Sequence, residues 1–351
     1  MKKWTKILTL GAVLTTVAIA TTGCNGNSSS AKKDASSVKD NTLTGDPNKK
    51  EDYVITVADN HDLCGGPQQI AIEKGFFDKW GLKYKSVDIG EENNIDALNS
   101  GKIDASNSLL GSIVPKIANG AKVRIVTGLH TGCLEALVAK DSKITKAKDL
   151  IGKTVGVPSL GGSADVFIRR YLSENGIEAA DRKTKVKFLA LENDTLGAAL
   201  EKGTVDVIVQ SDPLPLINKQ TYGFKTLVSQ ATDKPYSEEP CCVAYVSEKL
   251  AKEHPVAAAK YARALQDAAE WVNNHVEETA QIQIDKNLVP DKDLENNIKI
   301  LKSYSWTPTY EGSRSALLSV SDDLKKIGVL DKDVDAKVLE ANSFFKAKGI
   351  K

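Results

Sequence analysis

From Tyr53 onward, short β-branched runs alternate with amphipathic stretches. Tyr53 to Ala58 (YVITVA) has the length and composition of a buried strand. It breaks at Asp59–Pro67, a loop dense in side chains able to bind a ligand, and Gln68 to Trp80 then reads as a helix in spite of Gly75. The alternation continues with strands over 82–89, 103–107, 122–127 and 135–139 and with helices over 94–99 and up to about Ala118. A helical turn at 145–153 opens a second set. Its strands cover 154–157, 186–191, 205–209 and 224–228, and its helices cover 164–175 and 195–201, the first stopped by Gly176. From Ala251 the pattern is mostly helical, with Pro255 near a helix start and Val256 to Asn273 a long amphipathic segment. The class predicted is α/β.

One internal echo organises these elements. Ala97-Leu98-Asn99-Ser100-Gly101-Lys102-Ile103-Asp104-Ala105 matches Ala199-Leu200-Glu201-Lys202-Gly203-Thr204-Val205-Asp206-Val207. Each is a helix end, a glycine, then a strand that begins with a hydrophobe and an aspartate, so two lobes of similar architecture are expected.

Before Tyr53 the pattern changes. Lys2, Lys3 and Lys6 precede an apolar run from Ile7 to Ala20, which reads as a signal peptide over 1–23. Its end, Ala20-Thr21-Thr22-Gly23-Cys24, resembles a bacterial lipobox with Cys24 as the lipidated residue, although Thr21 stands where Leu is usual. Residues 24–52 are polar and read as a flexible tether that holds the domain at the extracytoplasmic face of the cell membrane. The 351 residues carry a formal net charge of +1, which offers nothing to nucleic acid. Gly-x-Ser-x-Gly, His-Glu-x-x-His and P-loop patterns are all missing, so no enzyme activity and no cofactor are expected.

In combination, Ile70-Ala71-Ile72-Glu73-Lys74-Gly75-Phe76-Phe77 with Trp80-Gly81-Leu82, the two Leu-x-x-Gly-x-hydrophobe-Asp units, and Ala147-Lys148-Asp149-Leu150-Ile151-Gly152-Lys153-Thr154-Val155-Gly156-Val157 carry a family likeness. Over about residues 53 to 280 the chain resembles the nitrate/sulfonate/bicarbonate/taurine and thiamine-pyrimidine group of ABC-transporter substrate-binding proteins. The resemblance implies a two-lobed periplasmic-binding-protein-like (type II) fold with the ligand in the cleft. Lobe one would be 53–140 plus 241–351, and lobe two 141–240. It also implies a monomeric receptor that delivers a small molecule to a separate ABC permease and its ATPase.

Cleft-facing loops in such a fold lie at strand ends. They supply His61, Cys64, Asn107, His130, Thr131 and Cys133 from lobe one, Ser159, Gly162, Ser163 and Asp212 from lobe two, and Cys241 and Cys242 on the return. This set is poor in Lys and Arg. Gly161-Gly162-Ser163 opening a helix could receive an anion or merely cap the helix. The sulfurs point elsewhere, because thiolates and imidazoles suit soft metals. Cys64, His130, Cys133 and Cys241 are therefore candidate metal ligands. Neighbours on a strand face opposite ways, so one of Cys241 and Cys242 should face the core unless the backbone turns. A Cys64–Cys133 disulfide and inert buried thiols stay open as alternatives. The cysteine pattern also resembles the Cys- or selenocysteine-containing binding component of proposed organometal transport systems. A second likeness is to yeast-type pyrimidine synthases of the same fold, against which the export signal argues. The ligand expected is a small thiophilic or metal-containing solute, with a sulfonate- or nitrate-type anion or a pyrimidine precursor as alternatives.

Overall fold

The computed structural model describes residues 38–90, 93–181, 183–306 and 309–351. The expected signal peptide, Cys24 and the first part of the tether lie outside the described residues. Among the described residues, no helix is long and apolar enough to cross a membrane.

The strands in chain order are β1 (Leu43–Gly45), β2 (Val54–Ala58), β3 (Lys83–Val87), β4 (Ala105–Leu109), β5 (Val123–His130), β6 (Leu134–Val138), β7 (Thr154–Val157), β8 (Lys187–Ala190), β9 (Val207–Ser211), β10 (Lys225–Ser229), β11 (Cys242–Ser247) and β12 (Phe345–Ala347). The helices are α1 (Gly66–Glu73), α2 (Phe76–Lys79), α3 (Asn94–Asn99), α4 (Leu110–Ala118), α5 (Ser163–Glu174), α6 (Leu196–Glu201), α7 (Leu214–Tyr222), α8 (Glu248–Glu253), α9 (Pro255–Asn274), α10 (Val276–Asp285), α11 (Leu294–Ser303), α12 (Tyr310–Lys326) and α13 (Ala336–Ala341). One five-stranded sheet runs β3-β2-β4-β11-β5 and a second runs β10-β6-β9-β7-β8, so each lobe of the two-lobed α/β fold has its own sheet.

The echo has a physical content. At the start of β4, Asp104 accepts a hydrogen bond from the Thr56 backbone N–H at 2.9 Å, and Asp206, just before β9, accepts one from the Thr154 N–H at 2.9 Å. In each lobe the carboxylate stitches the repeated strand to its parallel neighbour. The glycine two residues before the hydrophobe, Gly101 or Gly203, takes a positive φ that ends the helix.

Three expectations are corrected. Gln68–Trp80 is two helices, α1 and α2, because Gly75 adopts a φ of 72° between them. The strand over 135–139 does not belong to the first lobe, since β6 pairs antiparallel with β9 and β10 in the second sheet. The outgoing crossing is therefore Thr131–Cys133, while the chain returns through Pro240–Cys241 into β11. The polar tether also ends sooner than residue 52. Leu43–Gly45 adds a strand parallel to Phe345–Ala347, and Asn41 N–H donates to the Ala341 carbonyl at 3.0 Å. Backbone pairing makes no demand on apolar composition, so the polarity of this stretch hid it.

Two glutamines of α1 fix the loop that carries Cys64. Gln69 Nε2 donates to the Asn60 and Asp62 carbonyls at 2.8 and 3.0 Å, and Gln68 Nε2 donates to Ala58 at 2.5 Å. Both are buried and held from behind: Tyr261 Oη of α9 donates to Gln68 at 2.8 Å, and Gln283 Nε2 of α10 donates to Gln69 at 2.7 Å.

Candidate functional site

Strand β5 does not stop at Gly128. It continues through His130, and Gly128 is there because another segment passes close: a Cβ would stand 2.9 Å from Ser313 Oγ and 3.0 Å from Pro240. His130 thus sits on the last residue of a fully buried strand, itself 2% exposed. Its ring stacks on Tyr304 at 4.5 Å between centroids and lies against Trp306 at 4.9 Å. Nδ1 is 3.0 Å from the Thr131 carbonyl, which can only accept, so Nδ1 carries the hydrogen. Burial pushes the imidazole pKa down and keeps the ring neutral, and Nε2, also buried, has no hydrogen-bond partner.

All four cysteines of the described residues collect here, and none is disulfide-bonded. Cys64 Sγ lies 3.4 Å from Cys133 Sγ, and Cys241 Sγ lies 3.7 Å from His130 Nδ1. Both vicinal cysteines reach the centre. The β11–β5 register shifts between Cys242 and Val243, and Cys241 precedes the strand with its N–H on the His130 carbonyl. The extra residue is Leu129 of β5, and β11 itself stays in regular register with β4; both sulfurs reach the centre because Cys241 lies before the strand, in the return crossing, where strand alternation does not apply.

The sulfurs are coupled to one another through hydrogen bonds centred on Cys133. Hydrogen bonds donated by Cys241, Cys242 and Cys64 hold the Cys133 thiol well below its ordinary range. The hydrogen bond to Cys133 pushes Cys64 and Cys242 up, while burial above all pushes Cys241 up. Cys133 also has a φ of 104° after Gly132 at 91°, a left-handed pair in which only the glycine is relaxed. Two carboxyls flank the sulfurs. Desolvation raises Asp62 to about 6, and desolvation together with the Cys133 charge raises Asp212 to about 8. Asp212 accepts a hydrogen bond from Tyr304 Oη at 2.8 Å, and its N–H donates to the Cys133 carbonyl at 3.0 Å.

Of the remaining sequence candidates, Thr131 meets the centre only through its carbonyl on His130 Nδ1, and the others are engaged elsewhere. His61 is exposed, 3.9 Å from Asp59. Asn107 is buried in an amide network, accepting from Asn60 Nδ2 at 3.2 Å. Thr131 accepts the Ser305 N–H on its Oγ1 at 3.3 Å. Ser159, Gly162 and Ser163 line a different cavity, about 510 Å³ in volume, with Ser108 and Lys116. Lys116 is the cation the strand-end inventory lacked; it was missed because it lies on α4 rather than in a loop. Tyr304 and Trp306 were missed as neighbours of His130 because they fall in an aperiodic break between α11 and α12. A cavity of about 320 Å³, lined by Cys133, Asp212 and Lys219 among others, opens onto the sulfur centre.

Two sheets joined by crossings at 131–133 and 240–241, with the chemistry gathered at those crossings, define a two-lobed periplasmic-binding-protein-like receptor fold. The chain belongs to the NMT1-like family, whose profile matches residues 49–284. A protein of Bacillus subtilis (strain 168), named provisionally as an aliphatic sulfonates-binding protein, is 25% identical over 288 residues, covering 80% of this chain and 84% of its own. Among solved structures, the periplasmic aliphatic sulphonate binding protein SsuA from Escherichia coli superposes with a TM-score of 0.68 at 18% identity, over 82% of this chain and 97% of its own. The alkanesulfonate-binding protein SsuA from Xanthomonas axonopodis pv. citri, bound to MOPS, does so with a TM-score of 0.67 at 16% identity, over 85% and 100%.

Proposed function

We propose that this protein is the extracytoplasmic, lipid-anchored solute receptor of an ABC importer, and that it captures a small thiophilic or metal-containing ligand where its two lobes join. The observation that carries the ligand class is the convergence of four thiols and a neutral imidazole on one buried centre that draws on both crossings and on the lobe-one loop. Inert core thiols need no unpartnered imidazole nitrogen beside them, and a sulfonate gains nothing from a thiolate. The receptor role is supported by the family membership, by the two-lobed fold and by the names of the relatives. The lobes bind rather than transform; delivery goes to a separate permease and ATPase.

A second reading takes a sulfonate- or nitrate-type anion in the cavity of about 510 Å³. Ser163 Oγ, buried without a hydrogen-bond partner, and Lys116 support it. A thermal-shift screen of the reduced protein separates the two, because a ligand bound only by the folded state raises its melting temperature. Hg(II), phenylmercury or arsenite should raise it while taurine and nitrate leave it unchanged. The opposite result rejects the thiol reading.

A further inference from the structure

We propose that Cys64 Sγ, Cys242 Sγ and His130 Nε2 form a three-coordinate site for a bare, closed-shell thiophilic cation, of the zinc-group divalent or copper(I) kind. This rests on the thiophile-receptor reading and narrows it to one set of donors and one class of ligand.

One ring nitrogen of His130 and the sulfurs of Cys64 and Cys242 lie within 4.8 Å of one another. Donors sharing a zinc-like ion at about 2.0–2.3 Å would sit roughly 3.5–4 Å apart, so a contraction of about 1 Å seats the ion. The imidazole is already set for it. The Thr131 carbonyl holds the Nδ1 hydrogen, Tyr304 and Trp306 hold the plane of the ring, and the lone pair on Nε2 is buried and unmatched. A backbone carbonyl on the far nitrogen is how proteins fix a metal-binding histidine. An unsatisfied nitrogen in an aromatic enclosure is otherwise a pure cost.

The donor set differs from the one the sequence suggested. Cys242 enters, and Cys133 and Cys241 leave. Cys133 lines the cavity of about 320 Å³ and is not among the three donors that lie within 4.8 Å of one another. Cys241 lies against the Nδ1 side of the ring, where the hydrogen is. The enclosure sets the size of the ligand. Cys242 is 1% and His130 2% exposed, so an alkyl or aryl group on the metal would have to displace the packed rings, whereas a lone ion would not. Two thiolates and an imidazole select soft ions over Mg²⁺ or Ca²⁺. On binding, two S–H bonds break, two metal–sulfur bonds form and two protons leave to solvent, with no change in oxidation state.

The test titrates the reduced full chain, under anaerobic conditions, with Cd(II) and Co(II), reading thiolate-to-metal charge-transfer absorption and, by chelator competition, affinity. One ion per chain is expected. Cys64→Ser and Cys242→Ser should each halve the charge-transfer intensity per bound ion. These two and His130→Gln should each weaken Cd(II) by about 100-fold or more, beyond the 10–100-fold typical of supporting residues. Cys133→Ser and Cys241→Ser should cost less than Cys242→Ser. X-ray absorption of the Zn(II)-loaded wild-type chain needs no variant to fold, and should count two sulfur neighbours and one imidazole nitrogen. Three or four sulfurs, or oxygen in place of sulfur, would overturn the assignment. So would stabilisation by phenylmercury without any binding of Cd(II) or Co(II), which leaves the thiophile reading standing. No stabilisation by any thiophile removes both.

Discussion

Cys133 concentrates three costs at one residue: a left-handed φ outside glycine, burial at 4% exposure, and a thiolate in a site with two carboxyls. Backbone strain of this kind is worth about 1–3 kcal/mol and persists where surrounding structure over-determines it. Here the surroundings are Gly132, where a Cβ would stand 2.8 Å from Tyr304, and Asp212, whose N–H holds the Cys133 carbonyl. Asp212 yields a pH prediction. In the folded chain it keeps its proton to about pH 8, against 3.8 for an unperturbed carboxyl, so between these values the folded state binds the extra proton. The contribution is fully present below 3.8 and is lost as pH rises toward 8, at up to about 1.4 kcal/mol per pH unit. Asp212→Asn should flatten that part of the decline. Urea unfolding at a series of pH values checks it; parallel slopes for variant and wild type would contradict it.

At the scale of elements, α5 of lobe two and α12 of lobe one meet through buried charge. Arg170 donates from Nε to Asp323 and from an Nη nitrogen to Glu239, each at 2.9 Å, and Glu239 lies next to the return crossing. Among the described residues, removing the cation leaves Glu239 with only the Ser319 hydroxyl and Asp323 with only Lys326. Arg170→Met should therefore destabilise by about 3–5 kcal/mol, measured by chemical denaturation, and a loss below 1 kcal/mol would show the cluster is open to water. Most elements were legible from their periodicity: α4 to Ala118, β7 over 154–157 and the helices after Ala251 fall where the pattern predicts. Those that were not share a cause. Nothing in the sequence marks α7 (Leu214–Tyr222) beyond a mixed polar run after Pro213, and β1 is a three-residue ladder set by its partner, β12. Gly128 read as a strand end because a close approach by Pro240 and Ser313 is tertiary information. The cysteines themselves were legible as candidates. That both Cys241 and Cys242 reach the same centre was not, because where β11 begins, leaving Cys241 in the crossing, is set by its pairing with β4 and β5.

For the molecule as a whole, the sulfur centre stands where the two sheets are joined rather than deep in either. His130 ends a lobe-one strand, Cys133 ends the outgoing crossing, Cys241 ends the return, and Asp212 closes a lobe-two strand. The proposed donors Cys64, His130 and Cys242 all belong to lobe one, and lobe two reaches them through Cys133, whose sulfur lies 3.4 Å from Cys64 and whose carbonyl accepts the Asp212 N–H, so an ion bound there is coupled to both lobes. Family membership and fold account for the two lobes. The most direct measurement is a free-thiol count on the folded Cys24→Ala chain, purified without reductant, before and after one equivalent of Hg(II). Four titratable thiols falling to two or fewer, with a raised melting temperature, is the result predicted. Two thiols at the outset, or four that Hg(II) leaves untouched in the folded protein, would contradict it.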